Sequence, residues 1–290
     1  ILMIGPPGSG KTMIAKRIPT ILPDLSMEES LEVSTIYSVA GQLDDRNALI
    51  TKRPFLDPHH TISAQALAGG GRIPKPGAVS LAHRGVLFMD ELPEFRRGTI
   101  EILRQPLEDK RIHIARTSGS FVYPADFMLV GAMNPCPCGH FPDRNKCTCS
   151  ETEVKKYLSR ISGPILDRID VITQAPRVDI RQLSATMHNE SSADIRERVM
   201  GARERQNRRY RGTGYHFNAE LRAGDIRTYC PLGTEEQAMM EEIFTIMNLS
   251  ARAYHKVIKV ARTIADLDGK DDIGTAHLGE AVCYRMNDRN

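Results

Sequence analysis

The feature that most constrains the fold of this chain is a short apolar segment followed directly by a glycine-rich loop. Residues 1–4 are Ile-Leu-Met-Ile, and residues 5–12 follow the pattern G-x-x-x-x-G-K-T. Glycines let the main chain turn tightly and direct its N–H groups inward, while a following helix presents its positive end to an anion. The pattern therefore predicts a phosphate-binding loop between a strand and a helix that begins at Met13.

The whole loop is predicted to bind a nucleotide, through Gly5, Pro6, Pro7, Gly8, Ser9, Gly10, Lys11 and Thr12. Lys11 is expected to reach the β- and γ-phosphates, and Thr12 to bind Mg²⁺. A glycine-rich turn also matches this pattern by chance in unrelated proteins. Here the strand before the loop and the helical apolar spacing after it supply the context that nucleotide binding requires.

A second apolar run, Gly85 to Met89, ends in two adjacent carboxylates, Asp90 and Glu91. A continuous apolar run is typical of a buried parallel strand. Because adjacent side chains at a strand end point in different directions, Asp90 is predicted to hold Mg²⁺ and Glu91 to orient the attacking water. The alternative is a solvated turn, which the phosphate loop upstream disfavours.

A third apolar run, Phe127 to Met133, is followed by Asn134 and Pro135. Taken alone, Asn-Pro is more often a turn signal than a catalytic group. Three strands with polar residues at their carboxyl ends nevertheless match a parallel α/β sheet, in which ligands bind at that edge. Asn134 is therefore predicted to sense the γ-phosphate.

The predicted fold is α/β, with a P-loop parallel sheet and flanking helices over residues 1–172 and a smaller all-α lid over 173–290. Residues 42–82 are longer than a helix–strand connection needs and are predicted to be an insertion. This segment is basic through Lys52, Arg53, Arg72 and Lys75. Its paired histidines, His59 and His60, are interpreted as hydrogen-bonded structural residues, with metal binding as the less favoured alternative.

Two further basic segments, a predicted hairpin and a predicted helix, are candidate contacts for nucleic acid or another subunit. Residues 111–116 and 120–123 alternate around Thr-Ser-Gly, which predicts a β-hairpin over about 111–123 with Arg116 near its tip. Residues 195–211 form a predicted helix in which arginines outnumber acidic residues. This helix either binds nucleic acid or a neighbouring subunit, or it is an ordinary solvated face. The net charge of +3 is too small to require a polyanionic partner, so any nucleic-acid surface must be local.

Four of the six cysteines lie in two C-x-C pairs within residues 136–149, at Cys136, Cys138, Cys147 and Cys149. The intervening residues are polar and turn-rich, so these thiols are predicted to lie outside the core. Four thiolates can enclose Zn²⁺, but a disulfide or four reduced thiols stay open, and His140 is an alternative ligand. Cys230 and Cys283 stand alone and are predicted to be packing residues.

Several of these segments together resemble the AAA+ ATPases of the magnesium-chelatase-like group: residues 5–12, 86–91, Asn134, 158–170 and 250–253. Residues 53–63, 69–71 and 90–95 narrow the resemblance to the ComM/YifB proteins. The resemblance covers essentially the whole chain. It implies an enzyme that hydrolyses ATP with Mg²⁺ and assembles into a homo-oligomeric ring, expected to be a hexamer.

The resemblance also implies roles for two arginines. Arg168 would be an arginine finger that acts on the nucleotide of the neighbouring subunit, and Arg252 would be a second sensor that contacts the γ-phosphate from the lid. A planar guanidinium suits both roles because it stabilises phosphoryl charge bidentately. Arg160 is the competing candidate for the finger, and either assigned arginine could instead form a surface ion pair.

Two functions follow from the resemblance. A ComM-like protein would be a ring motor on DNA, with helicase or branch-migration activity in recombination or natural transformation. Its hairpin would line the pore, and Arg116 would contact phosphates independently of sequence. The alternative is the ATPase subunit of a magnesium-chelatase-type machine, which remodels a protein partner without DNA. The residues around the nucleotide do not separate the two functions.

The chain opens inside its first strand, without an initiating Met. Such proteins carry a Lon-protease-like domain before the phosphate loop, so we expect this chain to be a fragment with weaker nucleotide binding and assembly than its parent. We find no apolar run long enough to span a membrane. The expected location is the cytoplasm.

Overall fold

The computed structural model describes residues 1–43, 48–71, 73–116, 119–176 and 190–286. The chain divides into two compact units. The first comprises residues 1–169 and 173–187, and the second comprises residues 170–172 and 188–290. In the described parts of both units, no helix is at once long and apolar enough to cross a lipid bilayer.

Strands are confined to the part of the chain before residue 175 among the described residues. They are β1 (Leu2–Ile4), β2 (Phe55–Leu56), β3 (Gly69–Gly70), β4 (Lys75–Pro76), β5 (Val86–Met89), β6 (Arg111–Arg116), β7 (Gly119–Pro124), β8 (Met128–Met133) and β9 (Ile172–Gln174). Five of them form a parallel sheet in the order β2-β5-β8-β1-β9. The predicted α/β fold with a helical C-terminal region is confirmed.

Helices flank this sheet and make up most of the second unit. Those of the first unit are α1 (Lys11–Ile21), α2 (Met27–Ala40), α3 (Ala64–Ala68), α4 (Ala78–Leu81), α5 (Arg97–Glu101), α6 (Arg104–Asp109), α7 (Glu151–Leu158) and α8 (Gly163–Leu166). Those of the second are α9 (Ser192–Arg209), α10 (Ile226–Tyr229), α11 (Thr234–Ile246), α12 (Ala251–Leu267) and α13 (Thr275–Met286).

The register of the sheet brings the ends of its three central strands to one level. Gly131 of β8 pairs with Leu2 of β1 on one side and with Met89 of β5 on the other. All four residues of β5 are buried, as its continuous apolar sequence predicts. The segments that follow β1, β5 and β8 therefore emerge side by side at the carboxyl edge of the sheet.

Helix α1 and the segment 42–82 both differ from the sequence-based expectation. Helix α1 begins at Lys11 rather than Met13, because Gly10 adopts the left-handed conformation of a cap and the two residues after it are already helical. In addition, the segment predicted to be an insertion over 42–82 contains a strand of the main sheet. Phe55 and Leu56 of β2 pair with Val86 and Leu87 of β5. A two-residue edge strand is too short for alternation or an apolar run to reveal it.

The second unit is organised around the contact between α12 and α13. A buried ion-pair network lies in this unit, in which Asp266 of α12 bonds to Arg262 and Arg209. Cys230 is buried in the unit's core, as predicted, whereas Cys283 is exposed. The buried side of α13 is formed by Leu278, Ala281, Val282 and Arg285, and helical periodicity turns position 283 away from that side.

Candidate nucleotide-binding site

The phosphate loop follows β1 and is held in place by the two strands beside it. Gly8 and Gly10 have φ angles of 78° and 79°, a left-handed conformation that favours glycine. The main-chain N–H of Gly5 donates to the carbonyl of Met133, the last residue of β8, at 3.1 Å. A Cβ on Gly5 would lie only 2.2 Å from the carbonyl oxygen of Ala175, which explains the glycine at that position.

The Lys11 ammonium lies inside this loop, surrounded by oxygen acceptors. Its Nζ donates to the carbonyl oxygens of Gly5 at 2.7 Å and Pro6 at 2.9 Å, and is 3.4 Å from Asn134 Oδ1. Burial lowers the pKa of Lys11, and the negative charges of Asp90 and Glu91 oppose that shift. The loop therefore presents a positive charge where phosphate oxygens would bind, with the predicted sensor Asn134 in direct contact with it.

Thr12 and Asp90 meet across the edge of the sheet. The Thr12 hydroxyl donates to Asp90 Oδ2 at 2.7 Å, and Asp90 Oδ1 accepts from the main-chain N–H of Glu91 at 2.9 Å. A hydroxyl beside a carboxylate is the kind of oxygen donor set that Mg²⁺ prefers. The two residues predicted to hold this ion are thus adjacent, although they come from different elements.

Glu91 stands just beyond β5 in a strained conformation. Its φ of 52° is in the left-handed region, which non-glycine residues rarely adopt. Its side chain is 57% exposed. The carboxylate can therefore reach a water molecule while Asp90 faces Thr12.

The segment after β2 adds two groups that sequence reasoning did not place at this edge. His60 Nδ1 lies 3.6 Å from Glu91 Oε2, and the His60 ring packs edge-on against Phe95. Asp57 lies near Asp90: burial raises the pKa of Asp57, Lys16 opposes the shift, and Asp90 adds to it. Recognising residues 55–56 as a sheet strand would have predicted both groups, because they follow that strand at the carboxyl edge.

Three arginines were candidates for contacts with the phosphates. Arg168 donates to the Pro164 carbonyl at 2.6 Å and pairs with Glu108 of α6 at 2.8 Å, and only 11% of its side chain is exposed. Arg160 pairs with Glu94 at 2.8 Å and is 49% exposed. Arg252 is exposed in the first turn of α12, in the second unit. Its contact with nucleotide, like the finger role of Arg168, stays a prediction.

Two family profiles match the chain and between them cover most of it. The profile described as "Magnesium chelatase, subunit ChlI" matches residues 1–183, and "Magnesium chelatase, subunit ChlI C-terminal" matches residues 189–285. The chain belongs to the magnesium chelatase ChlI family. The resemblance found in the sequence motifs is thereby confirmed.

Within the ChlI family, the chain is similar along its whole length to two bacterial proteins. It is 48% identical over 291 residues to "Uncharacterized protein YifB" of Escherichia coli, covering 100% of this chain and 56% of that protein. It is 44% identical over 287 residues to "Competence protein ComM" of Haemophilus influenzae, covering 98% and 55%. The chain thus spans little more than half the length of these relatives.

A third relative matches only in part. The "Magnesium-chelatase 67 kDa subunit" of Chlorobaculum parvum is 30% identical over 130 residues, which is 44% of this chain and 18% of that protein. The similarity to YifB and ComM is therefore both higher and more extensive than the similarity to this magnesium-chelatase subunit.

The basic helix of this ChlI-family chain, α9, uses much of its charge within the second unit. Arg198 pairs with Glu190 at 2.9 Å and Arg205 with Asp271 at 3.2 Å. Other contacts of the helix are Arg209 Nη1 to Asp266 at 2.9 Å and the Arg203 guanidinium 3.7 Å from the centre of the Phe217 ring. These contacts weaken the interpretation of α9 as a nucleic-acid surface.

The two C-x-C pairs converge in the loop after Asn134. The sulfur atoms of Cys136, Cys138, Cys147 and Cys149 all lie within 4.8 Å of one another, and none of the four forms a disulfide. Cys136 is buried, contrary to the expectation that all four thiols lie outside the core. Cys136 lies only three residues after the end of the buried strand β8, so it is still in the interior at the start of the loop.

Proposed function

We propose that this chain is the ATP-hydrolysing AAA+ part of a homo-oligomeric ring, expected to be a hexamer, that moves along DNA in the cytoplasm. The activity would be helicase or branch migration in recombination or natural transformation. The observation that carries the ATPase part is the convergence of Lys11, the Thr12–Asp90 pair, Glu91 and Asn134 at one sheet edge. This is the set of groups that phosphoryl transfer to water requires.

Each group has a distinct part in the proposed reaction. Main-chain N–H groups of the loop and the Lys11 ammonium bind the β- and γ-phosphates. Thr12 and Asp90 would hold Mg²⁺, which when bound neutralises charge on the phosphate oxygens. Glu91 orients the attacking water in line with the γ-phosphate.

Asn134 and two arginines complete the proposed site. Asn134 contacts Lys11, and we propose that its amide senses the γ-phosphate. Arg168 acts on the nucleotide of the neighbouring subunit, and Arg252 acts from the lid. A guanidinium is suited to both tasks because it carries its charge at every physiological pH and forms two parallel hydrogen bonds.

Two observations support DNA as the partner. One relative, whose alignment covers 98% of this chain, carries the name "Competence protein ComM". Competence is the uptake of DNA. The second is the hairpin of β6 and β7, in which Arg116 pairs with Gly119 at the tip. A basic residue at that position, just upstream of β8 and Asn134, suits a contact that couples DNA movement to the nucleotide. Arg72, another candidate contact, lies outside the described residues.

The alternative function is that of an ATPase subunit in a magnesium-chelatase-type machine, which would remodel a protein partner without DNA. The family description and the partial match to a magnesium-chelatase subunit favour it. This function uses the same nucleotide chemistry, so only a response to DNA or to a protein partner separates the two.

We also propose that the four thiolates bind Zn²⁺. In a tetrahedral site with Zn–S bonds of about 2.3 Å, sulfur atoms are about 3.8 Å apart. The corresponding distances here are 3.3 Å for Cys136–Cys138, 3.6 Å for Cys138–Cys147 and 3.8 Å for Cys136–Cys147. The main-chain N–H of Phe141 points to Cys136 Sγ at 3.4 Å, as is suitable for a thiolate. The donor set therefore fits the ion.

Substituting Arg116 by Ala tests the DNA contact. We expect the variant to bind DNA of different sequences more weakly by a similar factor, and the dependence of log K on log salt to become shallower by about one unit. Binding to labelled single-stranded and forked DNA would be measured across a salt series. The matched control is Arg111→Ala, at the base of the same hairpin, for which the slope should not change. An unchanged slope for Arg116→Ala would reject the hairpin contact, and no DNA binding by the ATP-loaded protein at low salt would favour the chelatase-type function.

A further inference from the structure

The cysteine loop and the phosphate loop are in direct contact. Gly139 lies between the two C-x-C pairs, is buried and has a φ of 80°. A Cβ placed on it would lie 2.4 Å from Cδ and 2.9 Å from Cγ of Pro7, in the middle of the phosphate loop. The main chain of the cysteine loop therefore packs against the loop that would hold the phosphates, at a distance that only glycine permits.

A second connection runs through the chain itself. Cys136 is two residues after Asn134, whose side chain contacts Lys11 Nζ at 3.4 Å. The main-chain N–H of Gly139 donates to the carbonyl of Cys136 at 3.0 Å, which closes the turn that carries Gly139 to Pro7. The thiol cluster is thus tied to the phosphate loop on two sides, once by packing and once through the predicted sensor.

From these contacts we propose that the four-cysteine cluster is a metal clamp that holds the phosphate loop and Asn134 in their nucleotide-binding arrangement. This inference rests on the proposed Zn²⁺ site. Residues 142–146, which lie between the two pairs, are mostly polar and all exposed, so they contribute little apolar burial of their own. A bound ion fixes such a loop by linking four points of the chain, and structural zinc supplies folding free energy directly.

The clamp predicts how strongly zinc binding and nucleotide binding affect each other. If zinc stabilises the same loop arrangement that the nucleotide requires, the two ligands are coupled, and each tightens the binding of the other by the same factor. Couplings of this kind are commonly 5–150-fold. We expect removal of zinc to weaken nucleotide binding by about tenfold, and bound nucleotide to tighten zinc binding by the same factor.

Three variants of the full chain test the clamp. Cys138→Ser/Cys147→Ser removes two metal ligands, Gly139→Ala keeps all four thiols but places a methyl group against Pro7, and Cys283→Ser is the matched control at an exposed cysteine outside the cluster. Zinc content is measured by elemental mass spectrometry on reduced protein purified without added metal. Nucleotide affinity is measured with a fluorescent non-hydrolysable ATP analogue, and thermal unfolding checks that each variant is folded.

We expect about one equivalent of zinc in the wild-type protein, in Gly139→Ala and in Cys283→Ser, and none in the double variant. Nucleotide affinity should fall in both the double variant and Gly139→Ala, and stay unchanged in Cys283→Ser. If folded, reduced wild-type protein contains no zinc, the proposed metal site is wrong. If zinc is present but neither its removal nor Gly139→Ala changes nucleotide affinity, the metal site stands and the clamp is overturned.

Gly139→Ala also covers the case in which the double variant fails to fold. For that case a third measurement uses wild-type protein alone. In an equilibrium competition with a zinc-selective chelator, the protein should retain the metal more tightly when the ATP analogue is bound, by about the factor expected for nucleotide affinity. Equal extraction with and without the analogue would contradict the clamp.

Discussion

Glu91→Gln is expected to retain ATP binding but to lower the rate of hydrolysis by about 10²–10⁴-fold, the usual contribution of a group that positions or deprotonates the nucleophile. The amide has nearly the same shape as the carboxylate, but it lacks the charge and the proton affinity that orient water. Lys11→Ala is expected to lose nucleotide binding itself, because Lys11 is the buried cation in the phosphate loop.

Both variants are measured by phosphate release under saturating ATP and by binding of a fluorescent ATP analogue. The control is Glu28→Gln, an exposed acid on α2, which should behave as the wild-type protein does. Hydrolysis by purified Glu91→Gln near the wild-type rate would show that this residue does not orient the water. Because His60 lies 3.6 Å from the Glu91 carboxylate, that outcome would direct attention to the His60 imidazole as the water-orienting group.

Arg168→Ala should lower turnover by about 10³–10⁵-fold while nucleotide binding persists, which is the range found for arginine fingers. Arg168 is mostly buried and forms an ion pair with Glu108. A loss of turnover could therefore come from the broken ion pair. Glu108→Gln separates the two effects because it removes the pair and leaves the guanidinium, so it should retain far more activity than Arg168→Ala.

Rings assembled from two different inactive variants test whether the arginine finger acts between subunits. Arg168→Ala supplies an intact phosphate loop, and Lys11→Ala supplies an intact finger. If Arg168 acts on the neighbouring subunit, mixed rings of these two inactive variants should recover part of the activity. Absence of recovery in rings shown to contain both variants would assign Arg168 a role within its own subunit. Arg160→Ala, which alters an exposed arginine paired with Glu94, provides the comparison with the competing candidate.

The core of this site could be predicted from sequence because its parts have strong local signals. The glycine spacing of residues 5–12 and the apolar runs before Asp90 and Asn134 each identify a strand and the group that follows it. Parallel pairing then brings those groups together without further information. The contacts from Thr12 to Asp90 and from Lys11 to Asn134 agree with this reasoning.

The remaining parts of the site depend on tertiary contacts that no local pattern encodes. Strand β2 has two residues, so His60 and Asp57 could not be assigned to the sheet edge in advance. The close packing of Gly139 against Pro7 brings together segments that lie far apart in the chain. In α9, the count of arginines left both a binding surface and a solvated face open, because a count does not reveal which arginines are paired within the fold.

The measurement that tests the central proposal most directly is the rate of ATP hydrolysis without DNA and with single-stranded, duplex and forked DNA, at low salt. A ring motor on DNA should hydrolyse ATP faster with at least one of these DNAs, the increase should fall as salt rises, and Glu91→Gln should abolish it. Hydrolysis that is equally fast with and without every DNA would contradict the motor, and stimulation by a protein partner alone would establish the chelatase-type function in its place.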